Sequence, residues 1–250
     1  MPDDTLLGGA QEQFPRTRWS AIVALRSPDA NERQRSYGAI VSAYWKPVYK
    51  YLRLQWCKSN EDAKDLTQGF FTLALEKGYF QNYDPSQARF RTFLRTCLDG
   101  YAANEAKAAR RLKRGGGAEL LSLDFESAEG ELQQLEIPDP AAVDTLFDQE
   151  WLRSLFALAL AALRSECRHR NKQVALQLFE RYDLEENPAA KVTYEQLAQE
   201  FNLPVTQVNN HLAFVRREFR RILLEKLREL TASDQEFAEE ARLVLGLKLR

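Results

Sequence analysis

Histidine, cysteine and methionine are scarce in this chain: two, three and one among 250 residues. The cysteines, Cys57, Cys97 and Cys167, are odd in number and far apart, which argues against a disulfide framework and for a reducing, cytoplasmic setting. The histidines, His169 and His211, offer no second pair at zinc spacing beside Cys167 and His169. No G-x-S-x-G, Walker or G-x-G-x-x-G pattern occurs. The triple glycine Gly115–Gly117 closes a helical pattern, whereas a phosphate cradle needs glycines that open one. These absences point away from an enzyme and from a resident cofactor or metal. No apolar run approaches the about 20 residues that span a bilayer. The first residues, Met1 to Asp4, are acidic with no apolar h-region behind them, so the sequence predicts neither membrane insertion nor a signal peptide.

Strand-like alternation is also missing, and nearly every periodic segment has the helical period, which predicts an all-α protein. The net charge of −1 conceals a strong segregation. Lys107 to Arg114 reads KAARRLKR, basic throughout; Gly115 to Glu150 has no Lys or Arg but many acids; Arg216 to Arg228 is basic again. Such blocks predict separate electrostatic surfaces. The pattern divides the chain into a helical domain over residues 15–115, an acidic linker over 116–143, a second helical domain over 144–230 and a helical extension over 231–250. The linker carries Gly130, Pro138 and Pro140 and too few apolar residues for a core, so it is predicted to be mostly extended. Pro47 is expected to kink or interrupt a long helix running from about Asp29 to Trp56.

Three constellations carry chemistry. Val192 to Leu227 has a short helix, a tight turn at Asn202-Leu-Pro204 and a longer helix, the helix-turn-helix pattern. Val205, Val208, Leu212, Val215 and Phe219 form the predicted buried stripe of the longer helix. Thr206, Gln207, Asn209, Asn210 and His211 place polar groups where a recognition helix meets base edges, with Arg216, Arg217 and Arg220 behind them for phosphates. A plain helical hairpin with a solvated polar face has the same pattern. The second constellation is a helix from about Ala88 to Arg114. Its outer face holds Thr92, Thr96, Asp99, Ala103, Lys107, Arg110 and Arg114, and the aromatics Phe80, Tyr83, Phe90 and Phe93 surround the loop before it. Aromatics beside a basic face stack unpaired bases, although core is the simpler role for Phe90 and Phe93. The third is a helix opening at Ser59, with Leu66, Phe70, Leu73 and Ala74 on its apolar face and Glu61, Asp65 and Gln68 opposite, either a solvated face or a dock for a basic partner. At the C-terminus, Ser233 and Glu236 form a predicted capping box for a final helix.

Two stretches, in order, resemble the sigma-70 family of bacterial RNA polymerase factors, group IV or extracytoplasmic-function type. The first, SNEDAKDLTQGFFTLALEKGYFQNYDPSQARFRTFLRTCLDGYAANEAKAARRLKRGGG, is similar to family region two through E-D-A-x-D-L-x-Q-x-F-F, a loop with D-P, and F-R-x-F-L. The second, YEQLAQEFNLPVTQVNNHL, is similar to region four. The resemblance implies a non-catalytic factor that binds core RNA polymerase and promoter DNA. Glu61, Asp62, Asp65 and Gln68 would dock on the beta-prime clamp. Tyr83, Arg89, Arg91, Thr96, Asp99, Gly100, Ala103, Lys107, Arg110, Arg111 and Arg114 would contact the −10 element, with the loop from Tyr83 to Arg89 receiving a flipped base. Thr206, Gln207, Asn209, Asn210, His211, Arg216, Arg217 and Arg220 would read the −35 element. The acidic linker would thread polymerase channels as a nucleic-acid mimic. An anti-sigma factor or a regulatory kinase would be further partners, the latter with Thr67 and Thr72 as phosphate acceptors beside the clamp-facing acids. The chain departs from the family's usual pattern at Lys64, Asp99, Gly100 and Pro204 and in the neutral run Asn209 to His211. Two other readings share the residues: a helix-turn-helix regulator acting without polymerase, and a sigma-fold protein-interaction module.

Overall fold

The computed structural model describes residues 20–109, 123–133, 143–185 and 191–246. The described residues are helical, with no strand among them. In chain order the helices are α1 (Ala21–Ala24), α2 (Ala30–Leu54), α3 (Asn60–Glu76), a 3-10 turn (Tyr79–Asn82), α4 (Phe90–Ala109), α5 (Phe125–Gln133), α6 (Val143–His169), α7 (Gln173–Asp183), α8 (Tyr194–Glu200), α9 (Val205–Glu229) and α10 (Asp234–Val244). None of them is long and apolar enough to cross a membrane.

The central element is α2. Asp29 caps it by accepting from the Asn31 N–H (2.9 Å). Tyr37, Ile40, Val41, Tyr44, Val48 and Leu52 recur at helical spacing and are buried, and Ala43, Tyr49 and Lys50 are buried on other faces too. The helix is therefore enclosed by α1, α3, α5 and α6. That enclosure carries it through Pro47, where the sequence predicted a kink or a break; the helix is unbroken from Ala30 to Leu54. A proline costs about 3 kcal/mol in a helix interior, and burial of the large side chains around it, each contributing roughly 1.5–3 kcal/mol, offsets that.

The N-terminal half of α6 packs on α2, with ring centroids of Trp151 and Tyr44 6.4 Å apart and those of Phe147 and Tyr51 5.7 Å apart. Its C-terminal half packs on α9, where Phe156 meets Phe219 (5.9 Å). Val143, Phe147, Trp151, Leu155, Ala159, Leu163 and Cys167 repeat every fourth residue and are all buried. One stripe thus serves two neighbours, and the buried residues from α1 to α10 form a single cluster. Separate cores on either side of residues 116–143 are not what the described residues show.

The acidic stretch also departs from the expected extended form, because α5 lies within it. Asp124 accepts from the Ser127 N–H (3.0 Å), and Phe125 packs between Trp45 (5.4 Å) and Tyr49 (5.2 Å) of α2. One aromatic and one buried alanine, Ala128, are too few to stand out as a periodic pattern, but they suffice where a partner surface is ready.

Candidate nucleic-acid interface

Over the segment read as helix-turn-helix, the described structure has a short helix, a tight turn and a longer helix, and local chemistry explains the turn. Thr193 Oγ1 accepts from the Gln196 N–H (3.3 Å) while Gln196 Oε1 accepts from the Thr193 N–H (2.8 Å), a reciprocal capping box that opens α8. At the other end Asn202 adopts a left-handed φ of 51°, the Leu203 N–H donates to the Ala198 carbonyl (2.9 Å) and the Asn202 N–H to that of Gln199 (3.3 Å). This is the Schellman arrangement. Pro204 then caps α9 without a side-chain bond, and its carbonyl accepts from the Gln207 N–H (2.9 Å).

Val208, Leu212 and Val215 hold α9 from behind, fully buried. Val205, assigned to that stripe from sequence, is 40 % exposed because it precedes the packed turns. Thr206, Gln207, Asn209 and Asn210 are exposed and His211 is half-buried. The arginines divide. Arg217 and Arg220 are exposed. Arg216 instead bonds both Asp183 oxygens (2.9 Å each) and Tyr194 Oη (3.2 Å) and lies over the Tyr182 ring, so it braces α9 against α7 and α8. These bonds raise its already high pKa, the Asp183 hydrogen bonds foremost.

On α3, Glu61, Asp62 and Asp65 are exposed and Gln68 is half-buried. Ser59 caps the helix by accepting from the Asp62 N–H (3.1 Å), and Lys64 pairs with Glu61 at 2.9 Å. The buried stripe is Ala63, Thr67, Phe70, Phe71 and Ala74, rotated from the predicted one. That rotation disposes of the phosphate-acceptor expectation. Thr67 is fully buried and donates to the Ala63 carbonyl (2.7 Å), and the Thr72 hydroxyl oxygen is enclosed without a hydrogen-bond partner. Neither hydroxyl is presented to a kinase.

The α4 face differs most from expectation. Arg89, Thr96, Gly100 and Lys107 are exposed and Ala103 is half-buried, but three proposed DNA contacts are turned to protein. Asp99 accepts from Trp56 Nε1 (3.0 Å) and Tyr51 Oη (3.1 Å), tying α4 to the end of α2. Tyr83 is buried with Phe80 and Phe90, its ring 5.1 Å from that of Phe90. Arg91 is 4 % exposed: its Nε lies 2.8 Å from Asp148, its Nη1 2.6 Å from Glu240, and its guanidinium 4.8 Å above the Trp151 ring. Arg110, Arg111 and Arg114 lie outside the described residues. So do the acids of the linker other than Asp124 and those of α5.

At the Tyr83–Arg91 end of this face the partner is α10. Glu236, expected to complete a capping box, reaches elsewhere. Its Oε1 lies 2.8 Å from Tyr83 Oη and accepts from the Phe90 N–H (3.0 Å), and its Oε2 accepts from the Ala232 N–H (2.8 Å). Ser233 still caps α10, accepting from the Glu236 N–H (3.1 Å). Burial, then the Glu236 hydrogen bond, pushes the Tyr83 hydroxyl far above its ordinary pKa. Spacing from Ser233 suggests only a capping role for Glu236, and nothing in the sequence pattern sets Glu240 apart from a solvated helix surface.

No family model, curated protein or solved structure matches the chain. A second set of charged contacts lies where α5 lays Glu129 and Glu131 on the cationic side of α2. Arg53 grips both Glu129 oxygens (2.7 and 3.0 Å), and Lys46 and Lys50 each reach Glu131 (2.8 and 2.7 Å). Lys50, buried, also pairs with buried Glu150 (2.7 Å). These linker acids are neutralised by the chain itself.

Proposed function

We propose that this protein is a sigma-type transcription initiation factor, which docks on core RNA polymerase through the acidic face of α3 and reads promoter duplex with α9. The observation that carries the nucleic-acid half is the exposed set Thr206, Gln207, Asn209 and Asn210 on a helix held rigidly from behind. Asn and Gln side chains bind adenine through two hydrogen bonds in the major groove, and Arg217 and Arg220 follow at a reach suited to phosphates. The polymerase half is supported by Glu61, Asp62 and Asp65, which stay exposed beside buried Ala63, Phe70 and Phe71.

Two sets of substitutions test it. Glu61→Lys with Asp65→Lys is expected to weaken capture by core polymerase at least about tenfold, roughly 1.4 kcal/mol, and to leave duplex binding unchanged. Asn209→Ala with Asn210→Ala is expected to cost about 1–3 kcal/mol at particular base pairs, read by transcription with core polymerase on a promoter library. Polymerase capture unaffected by the α3 changes would refute the docking assignment.

A second reading, a helix-turn-helix regulator acting without polymerase, draws on one observation. Tyr83, Arg91 and Asp99 are engaged within the protein, whereas the α9 polar face is open. Specific duplex binding with no polymerase association would favour it.

A further inference from the structure

The seat of α10 is made with charge. Its buried residues are Glu236, Glu240 and Val244. A helix that merely docks on a core places apolar side chains on that stripe, since burying a carboxylate costs several kcal/mol unless it is fully paired. Glu236 and Glu240 stand one turn apart on one face, and each meets groups that suit an anion. Glu236 meets Tyr83 Oη and the Phe90 N–H in the first turn of the 20-residue α4. Glu240 meets Arg91 (2.6 Å) and Arg89 (3.5 Å). A hydroxyl, a helix-terminal N–H and two guanidiniums bind phosphate oxygens by the same chemistry. They are also pre-positioned: Arg26 donates to the Gln81 and Tyr83 carbonyls (2.9 and 2.7 Å) and holds the loop in place.

We propose that α10 is a displaceable acidic latch on the Tyr83–Arg91 surface, and that single-stranded DNA opens it by putting phosphates where the Glu236 and Glu240 carboxylates sit. This rests on the nucleic-acid reading above and adds a regulatory step to it. The latch is weak enough to open, because an 11-residue helix has little stability of its own. It is also tethered. Only Leu230 to Ser233 separate it from α9, so its high effective concentration recloses it when the strand leaves. The Phe237 ring packs against the core with the Arg228 guanidinium 5.2 Å from its centre, and adds a further hold.

The experiment uses the full chain without polymerase and a single-stranded DNA of about twelve nucleotides at about 50 mM salt. In Glu236→Gln with Glu240→Gln, volume is kept. The charge is lost, and the new amide nitrogen faces the N–H of Ala232 or the groups at Phe90, donor against donor. Binding read by fluorescence anisotropy is expected to tighten at least about tenfold over the parent. Independently, the Ala232 amide, which bonds Glu236 in the closed state and touches no proposed phosphate, is expected to lose hydrogen-exchange protection when the parent is saturated with oligonucleotide. Equal affinity of variant and parent, absence of binding to both, or binding with Ala232 still protected would each overturn the latch. Should the double variant fail to fold by circular dichroism, the Ala232 measurement on the parent decides alone. Failure here leaves polymerase capture through α3 untouched, whereas a chain that passes here and shows no polymerase capture is a gated single-strand binder and not an initiation factor.

Discussion

Glu129 is strongly perturbed by its neighbours. The Arg53 hydrogen bonds hold its pKa down to about 2, with Tyr49 assisting against the opposing effect of burial. Its unfolded value is near 4.5. A depressed acid stabilises the fold fully above the unfolded pKa and loses that contribution as pH falls through the folded one, here from about 4.5 to about 2. The pair lies near the surface, and screening leaves on the order of 1–2 kcal/mol. Thermal melts across that range are expected to show a shallower acid limb in Glu129→Gln than in the parent. An identical limb would show that the Arg53 contact contributes nothing to α5 docking.

Among the elements, α8 depends on its ends. At 7 residues it is too short to persist alone, and its capping box and Schellman turn supply what its length does not. Thr193→Ala removes one half of the box and is expected to cost about 1 kcal/mol, measured by denaturant midpoint at constant slope. Asn202 sits in left-handed backbone, so Asn202→Val is expected to destabilise and Asn202→Gly to be tolerated. If both variants melted together, the turn would not be setting the α8–α9 angle that presents Asn209 and Asn210.

For the whole molecule, α6 packs on both α2 and α9 and so links what the charge pattern divides. All four tryptophans, Trp19, Trp45, Trp56 and Trp151, precede the α7–α9 unit. Tryptophan fluorescence and far-ultraviolet circular dichroism therefore sample different shares of the chain, and their unfolding curves are expected to coincide. Phe147→Ala, which empties the contact with Tyr51, is expected to lower stability by about 3–5 kcal/mol. Two separated transitions in the parent would restore the picture of independent domains on a tether.

The sequence by itself determined the helical class, the positions of α3, α8 and α9, and the exposed polar half of α9, because each follows from local periodicity, caps and turn residues. Tertiary structure alone decided the rest. Pro47 stays helical because neighbours enclose α2; α5 forms because Trp45 and Tyr49 receive Phe125; and Tyr83, Arg91 and Asp99 turn inward because Glu236, Glu240, Trp56 and Tyr51 meet them. Glu236 is 153 residues from Tyr83. Contacts at that separation leave no periodic trace, so an acidic stripe that reads as solvated helix becomes, once folded, the partner of Tyr83, Arg89 and Arg91.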